Sequence, residues 1–252
     1  MSEKLRLGLV GCGGISRGLY VKLLTGFADR ARVVAVCDVV AERARERSEQ
    51  FQETYLQLAA EVRHQAATTT DDSERDRLLT SSAAAEAAGT VAPRVYTDLD
   101  RFVRDEELQV VVVTTQPVVH PVAAIAALEA GRHVFSEGPM AANLRDADAM
   151  IEAARRHRVK LAVQYCTRFF REAEQARLAV ASGKLGRVVL GRMDASWFHT
   201  MDSYFNRDAW RGTWAGEGGG SVFHHGRYGS DLFLHLMDDD LAEVAADVLT
   251  LR

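Results

Sequence analysis

Leu5-Arg6-Leu7-Gly8-Leu9-Val10-Gly11-Cys12-Gly13-Gly14-Ile15-Ser16 is the stretch that decides the fold. A short apolar run ending in glycines suits a buried strand, and Ile15 to Thr25 then takes up helical apolar spacing. A strand that turns through glycines into a helix lets the backbone approach a pyrophosphate. The anion then sits at the helix N-terminus, where orphan N–H groups and the helix dipole favour negative charge. Gly11, Gly13, Gly14 and Ile15 are the candidate contacts, with Ser16 at the third small position in place of Gly or Ala. Alone the motif is weak. Its context strengthens it, because the next β-branched run, Arg32 to Cys37, ends at Asp38. That carboxylate lies about twenty residues beyond the glycines, where it can accept hydrogen bonds from adenosine ribose hydroxyls. An acid there, followed by Val39 and Val40, would repel a 2′-phosphate, which favours NAD and leaves NADP open.

Outward from this unit, strand and helix patterns alternate. Ala41 to about His64 reads as a long helix with Phe51, Tyr55, Leu58 and Val62 at helical spacing. Residues 67–93 are expected to be a surface insertion with some helix, since compact α/β units connect their elements in a few residues. Gln109 to Thr115 holds the four valines Val110 to Val113, the pattern of a parallel strand covered on both faces. A helix near Val122 to Ala130, a strand at His133 to Ser136, a helix N-capped by Asn143 and a strand at Lys160 to Tyr165 follow. The expected fold class is α/β: a doubly wound parallel sheet over residues 1–166. Over 167–252 the alternation stops. A helix near Glu172 to Ala181, strands at Arg187 to Asp194 and Val244 to Leu251, and a helix through Asp231 read as a partial α+β domain.

The bulk properties exclude several classes. A net charge of −4 and a pI near 6.1 argue against a nucleic-acid or anionic-membrane partner. No apolar run approaches the ~20 residues that span a bilayer. Cys12, Cys37 and Cys166 are far apart with no C-x-x-C, so they read as small core residues in a reducing compartment, and the cytoplasm is the expected setting.

The chain resembles the glucose–fructose oxidoreductase, inositol dehydrogenase and rhizopine-catabolism (Gfo/Idh/MocA) family. The carrying residues are Gly11 to Ile15; Val113-Thr114-Thr115-Gln116-Pro117 with His120; Ala127 to Val134; Glu137-Gly138-Pro139; Arg168-Phe169; Trp210 to Trp214; and Glu217 to Gly220. The resemblance implies an N-terminal Rossmann domain, a C-terminal domain on an open, mainly antiparallel sheet that often forms the oligomer interface, and oxidation of a sugar, inositol or related polyol hydroxyl. It also implies that Thr115, Gln116, Pro117 and His120 line the nicotinamide half of the cofactor, and that Glu137 lies near its ribose. The family usually continues for roughly another hundred residues. A sheet cut short here would expose an edge, so either a partner subunit covers it or the chain is a fragment of a longer product.

Three positions depart from the family pattern. Its Glu-Lys-Pro is Glu137-Gly138-Pro139, and its Asp and His after the glycine run are His224 and Tyr228. Oxidising an alcohol still needs a group to take the hydroxyl proton. His224 and Tyr228, four apart and on one face if helical, are the candidate catalytic pair. Replacement chemistry and lapsed chemistry both fit, the latter making the protein a nucleotide- or sugar-binding or regulatory member. Asp231 and His235 extend the stripe, but it spans too many turns for one ion, so no metal is expected. The aromatic segment Trp197-Phe198-His199, with Tyr204, suits either a sugar pocket or core. Arg168 is expected to make interdomain hydrogen bonds.

Overall fold

The computed structural model describes residues 3–194, 196, 198, 200, 210–237 and 241–247. The chain divides into two compact units, Met1–Gln164 with Trp210–Gly218, and Tyr165–Ala209 with Gly219–Arg252.

The first unit is built on a six-stranded sheet: β1 (Leu5–Val10), β2 (Ala31–Cys37), β3 (Arg94–Tyr96), β4 (Val110–Val113), β5 (His133–Ser136) and β6 (Leu161–Val163). All pairings are parallel and the order is β3-β2-β1-β4-β5-β6. The register sets Val10 beside both Cys37 and Val113, so the carboxyl ends of β1, β2 and β4 finish level. The strand order reverses between β1 and β4, and such a switch point opens a crevice beyond the strand ends.

Helices cover both faces. On one side lie α1 (Val21–Thr25), entered through a π-type turn at Ser16–Tyr20, and α2 (Ala41–Thr68) with α3 (Asp72–Gly89). Their core gathers Tyr20, Val21, Phe51, Tyr55, Ala59 and Ala85 against Leu9 and Val36. The other side holds α4 (Leu99–Val103), α5 (His120–Glu129) and α6 (Leu144–His157), with Phe102, Leu108, Leu128 and Met150 against Val111 and Val113. Each large apolar side chain fully buried in these layers is worth about 1.5–3 kcal/mol. Helix starts follow their capping residues, since Asp71, Asp98 and Asn143 each accept a backbone N–H from the first turn.

The stretch from 67 to 93 folds mainly as α3, antiparallel to the far end of α2. Small residues make this close pairing possible: Ser82 donates to the Ala59 carbonyl at 2.7 Å, and a Cβ at Gly89 would sit 2.9 Å from Leu56.

The second unit contains α7 (Arg171–Ala181), a π-type turn at Val222–Gly226 and α9 (Arg227–Met237); α8 (Trp214–Glu217) belongs to the first. Two sequence expectations need correction. Arg187 to Asp194 is not a strand, and neither are the described residues 244–247 of the expected last strand. A strand persists only where its backbone N–H and C=O groups find a ladder. Among the described residues no strand pairs with either segment. Val189 and Leu190 are more than four-fifths exposed. The antiparallel sheet is therefore not seen among the described residues. Residues 248–252, Trp197, His199 and Tyr204 lie outside them.

Candidate functional site

The glycine loop leaves β1 at the switch point. Gly11 has φ +95°, and a Cβ there would meet the Thr115 nitrogen at 2.7 Å, so only glycine fits between the ends of β1 and β4. Its N–H donates to the Cys37 carbonyl at 2.9 Å, and Thr114 Oγ1 donates to its carbonyl at 2.7 Å. Gly13 and Gly14 differ. A Cβ at either would have nothing of the protein within 4 Å. Their lack of side chains is not needed by the protein's own packing, and it leaves a bare backbone at a helix start. Ser16 is buried, with its hydroxyl donating to the Gly13 carbonyl at 2.8 Å, so the third position closes the turn.

Asp38 stands at the end of β2, only 8% exposed, beside this loop. Its Oδ2 accepts the Cys12 N–H at 2.8 Å and its Oδ1 the Val40 N–H at 2.9 Å. A carboxylate offers about four lone-pair positions, so two remain for ribose hydroxyls. Burial, with Asp38 nearby, pushes the Cys12 thiol up to about 12, and burial does the same to Cys37.

Arg47, on α2, was not singled out by the sequence reading. It is buried, donates Nη2 to the Cys12 carbonyl at 3.2 Å, and bonds Gln50 through Nη1. Its Nε is buried with no hydrogen-bond partner among the described residues. A cation thus holds the Cys12 carbonyl while Asp38 holds the Cys12 N–H. Its sequence signal was positional: Arg47 falls three residues after Ala44 and four before Phe51, on the buried stripe of α2.

At the other half of the crevice, Thr115, Gln116 and Pro117 follow β4 directly. His120 opens α5 and is buried; Nδ1 lies 2.8 Å from the Pro139 carbonyl and Nε2 3.0 Å from the Thr115 carbonyl. The ring is a strut tying the segment after β4 to the segment after β5. Glu137, just beyond β5, accepts the Tyr20 hydroxyl proton at 2.6 Å through Oε2. Tyr20 is a second residue the sequence reading passed over, since a buried tyrosine in a short helix reads as core.

In the second unit, His224 lies in the π-type turn before α9 and Tyr228 in the first turn of α9. Arg227 connects them. Its Nη2 donates to Tyr228 Oη at 2.6 Å, its Nη1 bonds the His224 carbonyl, and its guanidinium sits 4.1 Å from the centre of the Tyr228 ring. Tyr165 packs edge-on against Tyr228 with ring centres 6.4 Å apart, and burial raises its phenol. Arg168 pairs through Nε and Nη2 with the two carboxylate oxygens of Asp231, with Nε 2.7 Å from Oδ2. Its bonds thus fall inside the second unit, a correction to the interdomain role expected of it, and the Asp231 bond raises the guanidinium further. Among the described residues no three His, Cys, Asp or Glu side chains gather as they would round a metal ion, and no helix is long and apolar enough to cross a membrane.

Comparison with known proteins agrees with this geometry. A family model described as an oxidoreductase family with an NAD-binding Rossmann fold, Gfo/Idh/MocA, matches residues 58–165. The C-terminal domain model of the same family matches residues 173–252. The 1,5-anhydro-D-fructose reductase of Ensifer adhaerens is 31% identical over 150 residues, 60% of this chain and 44% of that protein. Inositol 2-dehydrogenase of Salmonella typhimurium is 25% identical over 187 residues, 74% of this chain and 44% of that protein. Among solved structures, the WlbA dehydrogenase of Bordetella pertussis, in complex with NADH and UDP-GlcNAcA, superposes with a TM-score of 0.70 at 26% identity, over 93% of this chain and 60% of that one. The chain spans about half the length of the curated relatives it matches. Its Rossmann domain is of the NAD-binding kind.

Proposed function

The chain belongs to the Gfo/Idh/MocA family of oxidoreductases, and on that premise we propose that it passes a hydride between nicotinamide and a secondary hydroxyl of a sugar, inositol or related polyol. The observation that carries this reading is the open backbone at Gly13 and Gly14 beside the buried Asp38 carboxylate. Bare amides at a helix start suit a diphosphate, and an acid at the end of β2 suits ribose hydroxyls. The carboxylate disfavours a 2′-phosphate, so NAD is the preferred cofactor over NADP.

Bound NAD supplies the hydride acceptor, and the rest of the chemistry falls to the protein. Ser16 and Thr114 hold the glycine loop in its turn. Thr115, Gln116 and Pro117 would line the nicotinamide side, His120 fixing the two segments that form it, and Glu137 would stand near the ribose. Tyr228, paired with His224, would take the hydroxyl proton as the carbon gives up its hydride. The substrate class rests on relatives named for anhydrofructose, inositol and a UDP-sugar acid. The division near residue 166 and a homo-oligomer formed through the C-terminal sheet belong to the same reading, as does a cytoplasmic setting.

The test is NADH formation from NAD with a panel of polyols, aldoses and UDP-sugars. Tyr228→Phe and His224→Ala should each lower turnover by roughly 10²–10⁴-fold, the usual worth of a positioned acid or base. Unchanged rates in both variants would remove these roles. Gly138, where the family carries lysine, favours a second reading, a binding protein without turnover. That protein would be stabilised by nucleotide yet silent across the whole panel.

A further inference from the structure

We infer that Arg227 is the positioning residue that makes Tyr228 a usable base. This rests on the proton-acceptor role proposed for Tyr228. A guanidinium has five donors and no acceptor. By donating to Tyr228 Oη at 2.6 Å it stabilises the phenolate, and it obliges the phenol's own proton to point elsewhere. The same group lies 4.1 Å from the ring centre, so it acts on the π-system as well as on the oxygen. Its other arm is fixed by the His224 carbonyl, and its Nε is buried with no hydrogen-bond partner among the described residues. The cation is held in place rather than sampling solvent.

Asp231, one turn farther along α9, has its carboxylate committed to Arg168. Tyr165 is kept neutral by burial and faces the ring edge. His224 and His225 stack edge-on at 4.6 Å in the turn before the helix, and α7, packed on α9, carries Arg171 and Arg177 together with Glu172 and Glu174. The proton balance is simple. Bound NAD would supply the hydride acceptor, and the tyrosinate oxygen would receive the substrate hydroxyl proton as the hydroxyl becomes a ketone, leaving neutral tyrosine from which solvent would then remove the proton.

The experiment follows ionisation of the tyrosines by ¹³C NMR of ring-labelled full-length protein, with Tyr228→Phe identifying the Tyr228 signal. An opposite charge this close lowers a pKa by about 1–3 units. Tyr228 should therefore titrate well below the ordinary tyrosine value of about 10, return toward it in Arg227→Met, and be restored in large part by Arg227→Lys. The low-pH limb of kcat/KM with any active polyol should move upward in Arg227→Met by the same interval. Tyr228 titrating at or above the ordinary value in the unmodified protein overturns the inference without recourse to any variant, as does a titration indifferent to Arg227→Met. A lowered, Arg227-dependent titration in a protein that turns over no polyol upholds the pairing and sinks the activity instead.

Discussion

Replacing Asp38 separates the structural work of its carboxylate from its work on ligand. In Asp38→Ala the Cys12 N–H, buried between β1 and β2, loses its acceptor at 2.8 Å. The Val40 N–H loses one at 2.9 Å but lies at an exposed position where water can substitute. One orphaned buried donor costs about 1–3 kcal/mol. At about 2–4 °C per kcal/mol for a domain of this size, the melting temperature should fall by roughly 2–12 °C. Asp38→Asn keeps a single acceptor oxygen, serves one of the two amides, and should lose less. Binding should suffer more than folding does. Charge-assisted bonds to ribose hydroxyls are worth about 1.5–3 kcal/mol, so Kd for NAD⁺ should rise roughly 10- to 150-fold in either variant, and the preference over NADP⁺ should shrink. Calorimetric titration beside scanning calorimetry reads both effects. An Asp38→Ala protein that melts and binds like the parent would refute the reasoning.

The glycines of the loop should divide by cause. Gly13→Val should leave the unfolding free energy within about 0.5 kcal/mol, as for an ordinary surface change, since a Cβ there meets no protein atom within 4 Å, yet abolish measurable NAD⁺ binding. Gly11→Ala, strained at φ +95° and pressed on Thr115, should destabilise the fold itself by about 1–3 kcal/mol in denaturant titration. Arg47→Met keeps the apolar stem and removes the bond to the Cys12 carbonyl; NAD⁺ affinity should fall by about 1 kcal/mol, roughly fivefold, on calorimetric titration. A thiol reagent should label exposed Cys166 quickly in the native protein and reach Cys12 and Cys37 only on unfolding. Those two thiols, raised from 9.0 to about 12 when folded, stay protonated in the native state while the unfolded chain begins to ionise. Their contribution is complete below about pH 9 and is lost as pH rises toward 12, so stability to urea should decline across that window.

The first unit was legible because its signals are local and redundant. Leu5 to Val10 announces a strand by continuous apolarity, the glycines announce the turn, and Asp38 arrives at the end of the next strand; each element restricts the others. β3 escaped notice since Arg94–Tyr96 is three residues long and mostly exposed, with no periodicity to detect. The strand expected at Arg187 to Asp194 failed for the opposite reason. Its composition suits a strand, but pairing is a property of neighbours, and no local pattern supplies them. Arg47 was hidden among the arginines and glutamates that open α2, where a solvated face is the ordinary reading; only the fold brings the Cys12 carbonyl within its reach. Arg227 was hidden by its place between two more conspicuous residues. The family motif draws attention to positions 224 and 228, while the group that links them occupies a position the motif does not mark.

The central claim is that the crevice beyond β1 and β4 takes a pyridine dinucleotide with its adenosine ribose on Asp38. Isothermal titration of the unmodified chain with NAD⁺, NADH and NADP⁺ tests it most directly. The account expects saturable binding of one dinucleotide per chain, NAD⁺ and NADH both tighter than NADP⁺. Absence of heat and of any melting shift with all three, in protein shown to be folded, would contradict it.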